Sequence, residues 1–95
     1  MKVLIARAAA ADLDRLRLFL ADREPATARR ATAVLRNAVQ SLETLSDRGR
    51  PSTVAGLREL IVPFGRAAYV IRYAFFSERN EIVVVRIWHS RELRQ

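Results

Sequence analysis

No cysteine occurs in the sequence, which removes disulfides, thiolate nucleophiles and Cys-ligated zinc together and leaves stability to packing and backbone hydrogen bonds. The single histidine, His89, cannot make a multi-histidine metal site, so neither a metal nor a cofactor is expected. Long hydrophobic runs are also missing. The longest, such as Ile82 to Val85, fall far short of the roughly 20 residues needed to cross a bilayer, and the N-terminus has no signal-peptide core. A soluble, cytoplasmic protein without membrane contact is expected. There is no P-loop, dinucleotide fingerprint, nucleophile elbow, catalytic carboxylate pair or metal-ligand cluster, which leaves the conventional enzyme classes without support. With no linker, repeat or low-complexity tract, residues 1–95 read as one folded domain with a modest core.

What is present is apolar content and arginine. Hydrophobic residues make up 51% of the chain and are spread along it, enough to drive folding. The net charge is +7, and every basic residue except Lys2 is arginine. Arginine presents a planar fork of donors to carboxylate or phosphate and stays charged when partly desolvated, so an anionic partner is expected. The charge excess divides almost evenly before and after Ser46, so folding must organise it.

Lys2 to Ala6 is β-prone and predicts a strand tied into a sheet. From Ala8 the pattern turns helical, with Ala9, Leu13, Leu16 and Leu20 on one stripe and Asp12, Asp14, Arg15 and Arg17 mostly off it. Asp22 to Glu24 breaks the pattern, and Pro25 suits the first position of a second helix, whose missing N–H is no loss there. That helix is expected to reach about Leu45, with Ala28, Ala31, Leu35, Ala38, Leu42 and Leu45 forming a seam and Arg29, Arg30, Arg36 and Glu43 outside it. The short connection predicts an antiparallel hairpin. Gly49 is a candidate left-handed cap, Pro51 bars continuation, and a loop is expected to Gly56. Leu57 to Val62, Ala67 to Phe76 and Glu81 to Trp88 then predict three strands joined by hairpin-sized turns. The expected fold is α+β: an N-terminal strand, a helical hairpin and a three-stranded antiparallel meander, with the helices on one face of the sheet.

Alternation along the second of these strands sets Tyr69, Ile71, Tyr73 and Phe75 against Ala68, Val70, Arg72 and Ala74, and the first set makes the better core. The last strand divides into Ile82, Val84, Arg86 and Trp88 against Val83, Val85, Ile87 and His89, and neither set is uniformly polar. A helical hairpin covers only one face of a sheet. Val83, Val85 and Ile87 are therefore expected on the uncovered face, where a protein partner would shield them unless twist and the helix ends do so.

The C-terminal strands also carry Arg58, Arg66, Arg72, Arg86 and Arg91, with His89 near the last. Such a group could stabilise phosphate charge with His89 as proton donor, the minimum for cleaving RNA through its own 2′-OH. The same arginines equally fit solvated or salt-bridged strand positions, Arg58 beside Glu59 or Glu92, and spacing alone favours this. His89 by itself suits a strand-end surface residue, and Trp88 a core or interface anchor. A plain basic nucleic-acid binder is a further possibility.

Three stretches together carry a resemblance. They are Ala11-Asp12-Leu13-Asp14-Arg15-Leu16 after the first strand; Gly49-Arg50-Pro51 after the second helix; and Gly56-Leu57-Arg58-Glu59-Leu60 ahead of Tyr69-Val70-Ile71-Arg72-Tyr73 and Val83 to Arg91. In this order the chain resembles the RelE/ParE toxin superfamily over essentially its full length. For the mRNA-cleaving members, the resemblance implies basic residues at Arg58 and Arg91 and an acid or base at His89, while Leu60, Val70 and Ser90 depart from their pattern. The Tyr-Val-Ile-x-Tyr strand and the Arg86 to Arg91 ending are similar to the ParE-like branch. That likeness implies inhibition of DNA gyrase, with a small ParD-like antitoxin wrapping the toxin in a hetero-oligomer. Arg58, Arg66, Arg72, Val83, Val85, Arg86, Ile87, Trp88, His89 and Arg91 are then the expected target- or antitoxin-binding residues, with direct nucleic-acid contact secondary.

Overall fold

The computed structural model describes residues 1–21 and 24–92. The elements run β1 (Lys2–Ile5), α1 (Arg7–Ala21), α2 (Pro25–Ser41), β2 (Arg50–Pro51), β3 (Leu57–Phe64), β4 (Ala67–Phe76) and β5 (Glu81–His89), with a short 3-10 turn at Ser77–Arg79. Among the described residues the sheet has five strands in the order β1-β5-β4-β3-β2. β1 lies parallel to β5, and the other pairs are antiparallel. The expected break at Asp22 and Arg23 lies outside the described residues, as do Leu93, Arg94 and Gln95.

Both helices cover the same face of the sheet. From α1 come Ala9 and Leu16, and from α2 come Ala31, Leu35 and Ala38, with Leu42 just beyond its end. They meet Leu60 and Val62 of β3, Tyr69, Ile71 and Tyr73 of β4, and Ile82, Val84 and Ile87 of β5. The seam of small alanines on α2 lets the helix approach closely, while each large side chain buried opposite it contributes about 1.5–3 kcal/mol.

The structure moves several sequence boundaries. α2 ends at Ser41 with Leu42 as its cap, and Leu45, expected on the seam, is 53% exposed in the loop beyond. Gly49 is not a left-handed cap, since the positive-φ residues among those described are Gly56, Gly65 and Asn80. What requires glycine at 49 is contact: a Cβ there would lie 2.7 Å from the Tyr73 hydroxyl and 2.9 Å from the Glu59 carbonyl oxygen. Pro63 and Phe64 extend β3 instead of forming the turn, and Arg50–Pro51, expected as loop, adds a short edge strand.

One irregularity governs the site. Between β4 and β5 the register shifts at Arg72/Tyr73: Tyr73 faces Val84 and Arg72 faces Arg86, so Val85 has no opposite number. An extra residue in one strand reverses the facing of everything after it. Ile87 therefore turns into the core, with no exposed surface, and Arg86 and Trp88 turn outward. The expected grouping of Ile87 with Val83 on the uncovered face is corrected by this bulge.

Candidate functional site

Registers across the strands arrange the middle of the uncovered face in three rows. The first is apolar and crosses four strands, Leu57 to Ala74 to Val83 to Leu4. The second is charged, Glu59 to Arg72 to Arg86. The third is apolar again, Ile61 to Val70 to Trp88. Leu4 and Ile61 are each 37% exposed, whereas Trp88 is nearly covered. The Arg72 guanidinium lies over the Trp88 ring at 4.8 Å, a cation–π contact that shields the indole.

Each outward arginine of the charged row has a carboxylate of its own. Arg72 donates to Glu59 Oε2 from Nε at 3.1 Å and from Nη2 at 2.8 Å, and the Ser52 hydroxyl donates to the same oxygen at 2.9 Å. Arg86 makes a two-pronged contact with Asp12 of α1, Nε to Oδ2 at 2.8 Å and Nη2 to Oδ1 at 3.1 Å. Asp12 is only 4% exposed. Its Oδ2 also accepts the Ile87 backbone N–H at 2.8 Å, and its Oδ1 accepts from Arg15 at 3.3 Å. β1 ends at Ile5, opposite Val84, so among the described residues the edge of β5 beyond that point has no strand beside it, and Asp12 supplies the acceptor that a strand would have offered. Burial pushes the Asp12 carboxyl upward, but the hydrogen bonds from Arg86, Ile87 and Arg15 outweigh it and hold the group below its ordinary range. Arg86 is correspondingly raised by Asp12.

Arg58 lies on the other face. It stands opposite Tyr73, beneath the helices, and donates to the Gly49 carbonyl at 2.8 Å and the Asp47 carbonyl at 3.2 Å, with neither Glu59 nor Glu92. The Tyr73 hydroxyl donates to the Ser46 carbonyl and accepts the Gly49 N–H, both at 2.9 Å. Arg58 and Tyr73 thus fasten the loop between α2 and β2 to the sheet.

His89 also faces the helices, because the bulge reverses it along with Ile87. It stands opposite Tyr69, whose ring it meets edge-on at 5.3 Å, and its Nδ1 accepts the Arg91 N–H at 3.2 Å. Burial and the Glu92 charge push the Tyr69 hydroxyl pKa upward. A cavity of about 570 Å³ opens beside His89, bounded by Phe19, Leu20, Arg91 and the ion pair of Arg15 with Glu92. Arg66 is exposed in the β3–β4 turn. The sequence candidates therefore do not form one cluster. Tyr73 and Tyr69, the partners of Arg58 and His89, are four residues apart on β4, about 13 Å, and Arg58 and His89 are on strands to either side of it.

The residue most underread in the sequence is Asp12. Its spacing from Ala9 and Leu16 places it at the edge of the apolar stripe of α1, so the position itself carried the signal of a buried carboxylate in need of donors.

The fold and site can be set beside known proteins. Residues 3–94 match the family model described as ParE toxin of type II toxin–antitoxin system, parDE. The chain is 40% identical over 92 residues to Toxin RelE1 of Caulobacter vibrioides, covering 97% of this chain and 96% of that one. It is 37% identical over 83 residues to Toxin RelE3 of the same organism, covering 87% of each. A solved structure of the chromosomal ParDE TA system from P. aeruginosa superposes with a TM-score of 0.80 at 28% identity, covering 94% of this chain and 95% of that one.

Proposed function

This chain belongs to the ParE toxin family of type II toxin–antitoxin systems, and from that premise we propose that it poisons DNA gyrase by binding, performs no chemistry itself, and is silenced by a ParD-like antitoxin. The separation of Arg58 from His89 carries this choice. Four residues of β4 and two strand spacings lie between them, too far to act on one scissile phosphate, which requires donors within about 3 Å of the reacting atoms. Arg58, Arg72 and Arg86 are moreover held by acceptors of the same chain. The banded face suits a protein partner: apolar rows for burial, and between them arginines that an antitoxin's acidic side chains can approach. Purified chain added to gyrase and supercoiled plasmid is expected to inhibit supercoiling and accumulate cleaved complex. Unchanged gyrase at large toxin excess rejects the proposal.

The alternative is a ribosome-dependent mRNA endonuclease using Arg58, His89 and Arg91. The names of the two Caulobacter relatives and the cavity beside His89 favour it. It predicts message cleavage on translating ribosomes that His89→Ala abolishes.

A further inference from the structure

A group of cations without a strong carboxylate partner lies on the helices, away from the uncovered face of the sheet. Over Pro25–Ser41, α2 carries Arg29, Arg30 and Arg36 and no acidic residue. Arg29 and Arg36 are exposed and seven residues apart, about two turns, which sets them on one side of the helix roughly 10 Å apart. Arg17 of α1 joins them around a shallow concavity of about 440 Å³ whose floor includes Ala28 and Thr32. Its acidic neighbour, Asp14, is 3.7 Å away in a pair more than half exposed on both sides, a contact that solvent leaves weak. On the sheet, by contrast, Arg72 and Arg86 have bidentate partners at 2.8–3.1 Å.

We infer that the Arg17–Arg29–Arg36 concavity is a duplex DNA contact, in which the arginines straddle backbone phosphates without reading sequence. A strand of B-DNA offers phosphates continuously along its length, and three long flexible guanidinium arms on a rigid helical pair can meet them without induced order in the protein. The inference rests on the gyrase proposal for its setting, because a poisoned topoisomerase holds DNA beside the toxin. Protein contact through the banded sheet face and DNA contact through the helices would then occupy opposite sides of the molecule.

The test is fluorescence anisotropy of a labelled random-sequence duplex titrated with the purified chain over a range of salt. Binding is expected to weaken linearly with log salt, and Arg29→Ala/Arg36→Ala to lower the slope by about two. Arg50→Ala/Arg79→Ala removes equal charge from exposed positions elsewhere and is expected to keep the slope; circular dichroism checks that both variants fold. No duplex affinity at low salt overturns the inference, as does an equal loss in the two double variants. So does poly-glutamate binding at least as tightly as DNA through Arg29 and Arg36, which would mark a protein-docking surface. Gyrase inhibition read on the same preparation separates the two proposals. A chain that inhibits gyrase without duplex affinity loses this inference alone; duplex affinity through these arginines in a chain that leaves gyrase active supports it and removes the gyrase proposal.

Discussion

Asp12 and Arg86, 74 residues apart in sequence, meet through two hydrogen bonds of 2.8 and 3.1 Å, and the same carboxylate accepts the Ile87 N–H. One side chain of α1 thereby anchors the helix to the sheet, terminates the β5 edge and neutralises an arginine of the uncovered face. Replacing it by alanine removes all three at once. Asp12→Ala leaves a buried N–H without its acceptor and Arg86 without its counter-charge, and is expected to cost about 2–4 kcal/mol in urea unfolding. A loss below 1 kcal/mol would show that the carboxylate is incidental to the fold.

The same group dictates an acid limb. Its folded-state pKa is depressed below its unfolded value, so its contribution is fully present above the ordinary carboxylate range and disappears as pH falls through the folded pKa. Midpoints of urea unfolding are therefore expected to fall with pH at the acid end for the natural chain and to fall less for Asp12→Asn, which keeps the shape but does not titrate. Parallel curves for the two proteins would contradict the assignment.

Gly49 and Tyr73 form a second fastening, and their two substitutions act differently. Gly49→Ala drives a methyl group against the Tyr73 hydroxyl at 2.7 Å and against the Glu59 backbone oxygen at 2.9 Å, and the backbone cannot yield cheaply. A loss of about 1–3 kcal/mol is expected from overpacking. Tyr73→Phe keeps the ring in the core but strands the Gly49 N–H and the Ser46 carbonyl, for about 1–2 kcal/mol. Thermal melts of both variants check the two losses; a neutral Gly49→Ala would mean that the loop moves freely away from β4.

The arrangement of elements was readable because periodicity switches sharply, from three-four spacing in Ala28, Ala31, Leu35 and Ala38 to alternation in Tyr69, Ile71 and Tyr73. Each set ends buried where its period placed it. The site was less readable because it depends on one residue of register. Val83, Val84 and Val85 are chemically identical, so nothing local marks that one of them is unopposed, yet that single extra residue decides whether Ile87 and His89 or Arg86 and Trp88 face the helices. Salt-bridge partners were likewise out of reach: Asp12 finds Arg86 through the packing of α1 on β5, a tertiary relation that spacing along the chain does not encode.

Val83 sits mid-row between Ala74 and Leu4 on the uncovered face, half-buried and without a polar neighbour in that row. If the antitoxin covers this face, Val83→Glu inserts an unpaired charge at the centre of the contact and is expected to weaken antitoxin binding at least ~10-fold by calorimetry, while the outward position spares the fold. Unaltered affinity in a folded Val83→Glu chain would move the antitoxin off these rows.

The run of three valines permits a direct test of the bulge. Removing one of them leaves the strand with the residue count of its partner, so simple alternation from Ile82 again brings Ile87 inward, turns Arg86 and Trp88 outward and points the Ile87 N–H at Asp12. Inserting a fourth valine asks either for a second unpaired residue or for β5 beyond it to slide two residues along β4, which keeps the facing but carries Ile87 away from Ile71 and its N–H away from Asp12. The deletion is therefore expected to fold with a loss of no more than about 1–2 kcal/mol, and the insertion to lose more than about 3 kcal/mol or fail to fold. Urea unfolding of the two chains, with Trp88 fluorescence as the probe of its cover by Arg72, reads both. Equal damage from deletion and insertion would mean that the bulge itself, and not the register of Arg86 and Ile87 beyond it, is what the fold requires.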